Sequence, residues 1–337
     1  MFGEAEKNNA YMKTLIEEFP ENLSEGLEIA SQNILIKDYS KFNNVLICGM
    51  GGSGIGGKLV ESWIKDEINI PINFCQDYSV PNYVNSKTLV IVSSNSGNTE
   101  ETLSAAWEAY ERDAVIIGVC AGGKLQSLCE EWGAECIIVP GGRPPRTTLA
   151  FSIIQLTHIF VELELIDASK LLEFSSAKDL LLSNISVIHS EAKELAAFIN
   201  GKELIVYSEA KDEAVAIRAR QQFNENSKVL CNHHVIPEMN HNELVGWYGG
   251  SDRFGVLFLN TNDWSGQNSK RLNFSIETIK TQTPYIFTLN SKGNSMISRS
   301  LYLIHIIDWT SLYLAEKNNI DSVYIAVIND LKASLLK

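Results

Sequence analysis

Positive charge is scarce in this chain: 28 Lys and Arg stand against 41 Asp and Glu, a formal net charge of −13 over 337 residues. Nucleic acid and anionic membrane are therefore not expected as partners, because both would be repelled at long range. A small anionic ligand would need a local positive site to overcome that field. Long apolar runs are missing too, none approaching the roughly 20 residues of a membrane span. Met1–Pro20 carries Glu4, Glu6, Glu17 and Glu18 without an apolar centre, so it does not read as a signal peptide. The six cysteines, Cys48, Cys75, Cys120, Cys129, Cys136 and Cys231, contain no C-x-x-C pair and sit mostly in apolar runs. That argues against a zinc ribbon and for buried, reduced thiols in a cytoplasmic protein. Low-complexity segments are absent. What is present, 45% hydrophobic and 20% charged residues, is globular composition, at a length that suits two domains.

Short apolar runs alternate with helical patterns. Val45–Cys48, Ile70–Cys75, Leu89–Val92, Ala114–Val119 and Cys136–Val139 read as strands. Between them, helices are predicted from about Gly56 to Trp63, from Thr99 to Tyr110 and over Gln126–Trp132. Strands separated by helices of about ten residues imply a parallel, doubly wound sheet. Leu149–Leu163 and Leu171–Phe198 read as long connecting helices. The pattern then restarts with strands at Glu203–Tyr207, Val229–Cys231, Gly255–Leu259 and Tyr285–Leu289 and helices at Ala214–Asn224 and Ser295–Glu316. The predicted architecture is α/β, two copies of one nucleotide-fold-like unit, spanning 1–165 (N-terminal helices included) and 166–337. No repeat is visible residue by residue.

Two loops bear the marks of anion binding. Gly49-Met50-Gly51-Gly52-Ser53-Gly54-Ile55-Gly56-Gly57 follows a strand and opens a helix, where backbone N–H groups and the helix dipole attract a phosphate. The same run satisfies G-x-G-x-x-G, with Asp77 beyond it, so a dinucleotide site of an NAD-dependent oxidoreductase competes. A tight turn without ligand is the bland alternative. Ser94-Asn95-Ser96-Gly97-Asn98-Thr99 also follows a strand and opens a helix. N-capping by Asn98 or Thr99 would account for one hydroxyl there but not for three.

The pair G-M-G-G-S-G and S-x-S-G-N-T resembles the first sugar-isomerase (SIS) domain of phosphosugar-binding proteins. The chain is similar to the bifunctional phosphoglucose/phosphomannose isomerase family. That resemblance implies two SIS domains, each a three-layer α/β/α sandwich. It also implies that Gly52, Ser53, Ser94, Ser96 and Thr99 hold the substrate's phosphate. Asn95 departs from the family, where many relatives carry an aromatic residue.

Phosphate loops alone would also suit a non-catalytic sugar-phosphate sensor. Aldose–ketose isomerisation needs a base to move a proton through an enediol, an acid for ring opening, and stabilisation of the developing negative charge. Three segments offer such groups: Pro144-Pro145-Arg146 after a strand; Asn224-Glu225-Asn226-Ser227-Lys228 at a helix end; and Glu238-Met239-Asn240-His241-Asn242-Glu243. They match the family's P-P-R, N-E-N-[AS]-K and E-x-N-H-N-E. The resemblance implies that Glu225 shuttles the proton between C1 and C2, that Arg146 stabilises the enediolate, and that His241, contributed by the neighbouring subunit, opens the ring. Ile328-Asn329-Asp330-Leu331-Lys332 resembles the family's I-x-x-L-K ending, whose lysine assists ring opening. Segment 321–332 holds no Thr or Gln, residues that relatives carry beside the sugar.

Read as residues alone, Glu225 could be a solvated helix-end acid, Glu238 and Glu243 are rival bases, and Arg146 and Lys332 could be surface charges. Cys231, His233, His234 and His241 form the one metal-like cluster, yet adjacent histidines of a strand face opposite ways, so no metal is expected. His158, His189 and His305 fall in helical patterns and read as packed or surface groups. The expectation is a homodimeric hexose 6-phosphate isomerase without cofactor, its active site in the cleft between the domains and completed across the dimer.

Overall fold

Apolar runs too short for helices form two parallel sheets in the computed structural model, which describes residues 2–35, 42–264 and 266–335. The chain runs α1 (Phe2–Glu17), α2 (Phe19–Gln32), β1 (Asn44–Cys48), α3 (Gly51–Ile64), β2 (Ile72–Cys75), β3 (Thr88–Ser94), α4 (Glu100–Glu111), β4 (Val115–Cys120), α5 (Gly123–Trp132), β5 (Glu135–Ile138), α6 (Leu149–Glu162) and α7 (Ser169–Ser183). It continues as α8 (Ile185–Phe198), β6 (Glu203–Glu209), α9 (Glu213–Ser227), β7 (Cys231–Ile236), α10 (Glu243–Gly246), β8 (Phe254–Asn260), α11 (Gly266–Lys280), β9 (Ile286–Asn290), α12 (Met296–Lys317) and α13 (Ala326–Leu335).

The two compact units are Glu18–Asp179 and Met1–Glu17 joined with Leu180–Lys337. In the first, the strand order is β2-β1-β3-β4-β5, all parallel. All seven residues of β3 are buried, as helices on both faces of a parallel sheet require. Leu46, Val90, Val92 and Ile116 share a core with Ala105, Ala106 and Ala109 of α4. Each large apolar side chain buried there contributes about 1.5–3 kcal/mol.

The second unit has the parallel order β7-β6-β8-β9. In both units the first strand lies between the second and the third, so each sheet has its switch point between first and third strands. In open α/β sheets ligands bind at the carboxyl ends of the strands flanking that point. The doubly wound reading therefore holds, and the second unit repeats the first with one strand fewer. Tyr207, Ile236, Val256 and Phe258 share its core with Met239 and Trp247, which ties the segment after β7 to the sheet.

Several boundaries differ from the sequence reading. Helix α1 belongs with the second unit, not the first. It packs on α12, and its Asn9 accepts hydrogen bonds from the backbone N–H and hydroxyl of Ser322 at 2.9 and 2.7 Å while donating to the Ile320 carbonyl at 2.8 Å. The division between units falls within α7, whose Phe174 packs edge-on against Trp63 in the first unit. The helix expected over Leu171–Phe198 breaks at Asn184, whose side-chain amide donates to the Leu180 carbonyl at 2.9 Å and competes with the backbone ladder. The strand expected at Val229–Cys231 begins at Cys231 instead, and α11 carries too few apolar residues to stand out in the sequence. All six cysteines are free thiols, and no described helix is long and apolar enough to cross a membrane.

Candidate active site

Helix α3 begins at Gly51, inside the glycine run, so most of that run is the helix's first two turns. The glycines there admit close packing. A Cβ on Gly52 would lie 2.9 Å from the Pro145 carbonyl oxygen and 3.2 Å from the Arg146 nitrogen. The P-P-R loop thus presses on the start of α3, and Arg146, in a short 3-10 turn over Pro145–Thr147, is only 3% exposed. Arg143 is spent elsewhere, paired with Glu18 at 2.7 Å.

The second loop meets the first through Ser53, whose hydroxyl accepts a hydrogen bond from the Asn95 backbone N–H at 3.0 Å. Ser94 donates to the Thr99 hydroxyl at 3.1 Å, and the Ser96 hydroxyl accepts from the Asn98 N–H at 3.2 Å. Thr99 occupies the N-cap position of α4 in an extended conformation, yet its side chain makes no capping hydrogen bond. A hydroxyl has one proton to donate and can accept twice. Ser53 and Ser96 act as acceptors here, which leaves each hydroxyl proton available to a further acceptor. They stand at the starts of two helices, where the macrodipole favours negative charge.

A loop that the sequence reading passed over supports this turn. Gly97 has φ +63°, and a Cβ there would sit 1.8 Å from the Gly122 carbonyl oxygen. Ala121 donates its N–H to the Asn95 carbonyl, and Lys124 donates its N–H to the Asn98 side chain, at 2.9 and 3.1 Å. A cavity of about 10 Å³, room for about one water, is lined by Gly52, Ser53, Asn95 and Ser152 among others.

In the second unit Glu225 sits half-buried in the last turn of α9, with both flanks anchored. On one side, the Asn224 side chain accepts from the Cys231 N–H of β7 at 2.9 Å. On the other, Asn226 donates to the Ser311 hydroxyl at 3.0 Å and Ser227 to the Ser311 carbonyl at 2.7 Å, both on α12. One turn earlier, Arg218 and Gln222 bind the buried Asp308 of α12 at 3.1 and 2.7 Å. Helix α9 ends at Lys228 in a left-handed conformation, and the Lys228 ammonium donates to the Glu225 carbonyl at 2.5 Å.

His241 closes a 3-10 turn over Glu238–His241 and is exposed. The rival acids beside it are engaged. The Asn242 amide donates to Glu238 at 2.8 Å. Glu243 accepts from the Tyr207 hydroxyl with one oxygen and lies 2.6 Å from His234 Nδ1 with the other. Glu225 and His241 stand on different elements, the end of α9 and the turn after β7. Lys332 lies exposed on α13, a helix with no buried residue, and no packing distinguishes it from its neighbours there.

The remaining histidines serve the framework. Burial pushes His305 down to about 3, and its Nε2 accepts from the Trp309 indole at 3.2 Å. His189 pairs with the Tyr313 hydroxyl at 2.6 Å and His158 with the Asn33 carbonyl at 2.5 Å. His233 faces Glu213 at 3.5 Å while its neighbour His234 faces Glu243, so the two point to different partners. Among the described residues, the grouping with metal-like spacing lies elsewhere, at the ends of β6 and β8. There Glu209, Asp212 and Asp263 bring carboxylate oxygens within 4.8 Å of one another. Lys211 stands 2.9 Å from Asp263 and 3.3 Å from Glu209, and Arg299 is 3.0 Å from Asp263, so two cations already balance it. Burial lifts the Asp212 carboxyl to about 6. Carboxylates paired with Lys211 and Arg299 here occupy the switch point where the first unit carries its hydroxyl loops.

Comparison with known proteins bears on the family and the fold. The family described as "Bacterial phospho-glucose isomerase C-terminal SIS domain" matches residues 188–335. A protein of Caldicellulosiruptor bescii named bifunctional phosphoglucose/phosphomannose isomerase is 35% identical over 329 residues, 94% of this chain and 96% of that one. One of the same name from Aquifex aeolicus is 34% identical over 306 residues, 90% and 93%. Among solved structures, the C-terminal domain of glucosamine-fructose-6-phosphate aminotransferase from Francisella tularensis superposes with a TM-score of 0.74 at 16% identity, covering 91% of this chain and 95% of that one. The SIS fold is thereby shared.

Proposed function

The chain belongs to the bifunctional phosphoglucose/phosphomannose isomerase family, and from that premise we propose that it interconverts glucose 6-phosphate, and mannose 6-phosphate as a second aldose, with fructose 6-phosphate through a cis-enediol. The observation that carries the reading is the pair of joined loops in the first unit, in which the Ser53, Ser96 and Thr99 hydroxyls accept and Thr99 leaves its helix uncapped.

In this reading Ser53, Ser94, Ser96 and Thr99, with the Gly52 backbone, hold the phosphate. The guanidinium of Arg146, buried within a protein of net charge −13, supplies local positive charge and stabilises the enediolate oxygens. His241 passes a proton to the ring oxygen as the sugar opens, with Lys332 assisting. Glu225 then takes the proton from C2 of the aldose and returns it to C1, so one carboxylate suffices and no cofactor enters. His241 is supplied by a second copy of the chain in a homodimer.

A coupled assay that consumes fructose 6-phosphate tests the proposal directly. Signal is expected from both glucose and mannose 6-phosphate without added metal or nicotinamide. Binding of fructose 6-phosphate without turnover would leave a sugar-phosphate sensor. A rise in melting temperature with NAD and none with fructose 6-phosphate would favour the oxidoreductase.

Ser96→Ala and Thr99→Ala are expected to raise KM with little change in kcat, since the phosphate is held equally in ground and transition states. Each lost charge-assisted bond costs about 1.5–3 kcal/mol, about 10- to 150-fold in affinity. Steady-state kinetics on fructose 6-phosphate reads this out, and unchanged KM in both variants would return the turn to a plain helix start.

A further inference from the structure

The geometry points to Glu243 as a positioning residue that holds His241 in register for ring opening, an inference that rests on the reading of His241 given above. Tyr207 on β6 and His234 on β7 are paired residues of adjacent parallel strands, and both reach Glu243. The Trp247 indole donates to the Tyr207 oxygen at 2.9 Å, which extends the chain of bonds to the far end of the same segment. Burial, with the Glu243 charge next, pushes the Tyr207 hydroxyl well above its usual range, so it remains a donor at every working pH.

The segment is held at both ends with His241 between. Before it, Met239 is fully buried and Asn240 donates to the Ser275 hydroxyl of α11 at 2.7 Å. After it, the Asn242 side chain caps α10 by accepting from the Glu243 N–H at 2.5 Å. His241 stays exposed, its backbone fixed on each side. Packing fixes the segment at its two ends, through buried Met239 and Trp247, and Glu243 lies between them. A cavity of about 240 Å³ lies against it, lined by Ile205, Glu243, Gly246, Trp247, Gly249 and Phe254 among others. Between those packed ends, the directional bonds to Glu243 set the place of the stretch next to His241. A carboxylate that accepts from two fixed donors defines position more sharply than an apolar side chain facing empty space.

The test compares glucose 6-phosphate with an aldose 6-phosphate lacking the 4- and 5-hydroxyls, which cannot close a furanose or pyranose ring. Glu243→Ala is expected to lower kcat on the cyclic sugar about 10- to 100-fold, the usual cost of a displacement near 1 Å. KM should stay within about twofold, and turnover of the ring-less substrate should be nearly unchanged. His241→Ala should show the same pattern, and Glu243→Ala added to it should cause no further loss, because the two act as one unit. Glu243→Gln, which keeps contacts to both partners with altered proton roles, should retain part of the lost rate. Tyr207→Phe, which removes one hydroxyl without emptying the site, repeats the comparison if Glu243→Ala fails to fold. Equal slowing of both substrates, or a full additional loss on top of His241→Ala, would overturn the inference and leave Glu243 a structural group. If His241→Ala itself does not discriminate the two substrates, the reading of His241 falls first and this inference falls with it.

Discussion

Glu225→Gln is expected to remove isomerisation while leaving phosphate affinity close to that of the unaltered protein. The amide matches the carboxylate in size but cannot take the C2 proton, and loss of a general base costs about two to four powers of ten in rate. Local structure sharpens the expectation. Asn224 is held by β7, and Asn226 and Ser227 by Ser311, so the helix end keeps its shape when Glu225 changes. Glu238 is held by Asn242 and Glu243 by Tyr207 and His234, so those two carboxylates keep their places in the variant. Measuring kcat for fructose 6-phosphate, with inhibition by inorganic phosphate as the affinity control, gives the answer. Turnover at the original rate would remove Glu225 from the mechanism and direct attention to Glu238.

Mixed dimers carry the second large effect. If His241 acts in the site of the neighbouring copy while Glu225 acts in its own, the Glu225→Gln homodimer is inactive and the His241→Ala homodimer strongly slowed on the cyclic sugar, yet a mixed dimer regains activity. One of its two sites receives both defects and the other receives neither. Co-refolding the two variants and assaying the isolated heterodimer should recover, at most, about half the activity of the unaltered dimer. The exposed position of His241, at the tip of an anchored turn with Val245 and Tyr248 exposed at 66% and 82% a few residues on, suits a side chain offered to another subunit. A verified heterodimer without activity would place His241 in its own subunit's site.

Much of this was legible in one dimension, for identifiable reasons. Strands such as Val45–Cys48 announce themselves because a sheet covered on both faces demands a continuous apolar run. The turn at Ser94–Thr99 is legible because Gly97 must adopt a positive φ directly after a strand. Opposite facing of His233 and His234 follows from the two-residue period of a strand, although the strand itself starts at Cys231. Other features left little trace. The glycine run reads as a loop because glycine is a poor helix former, and only the approach of the Pro145 backbone to Gly52 shows why a helix start there carries glycine. The second unit's equivalence to the first is invisible residue by residue, since a shared strand order constrains apolar spacing and leaves the loops at the switch point free to diverge.

The sequence by itself determined the α/β class, the two turns for which anion binding is proposed and the three short segments from which the chemistry is proposed. Each of those rests on neighbours within about ten residues, through turn conformation, helix starts and apolar period. Only the tertiary structure decided that α1 packs with α12, through bonds between Asn9 and Ser322, 313 positions apart. It alone showed that Thr99 does not cap its helix and that Glu243 is already bound on both oxygens. Whether a carboxylate such as Glu243 is engaged depends on partners brought in from another strand, and such pairing is set by the closure of the whole sheet rather than by local propensity.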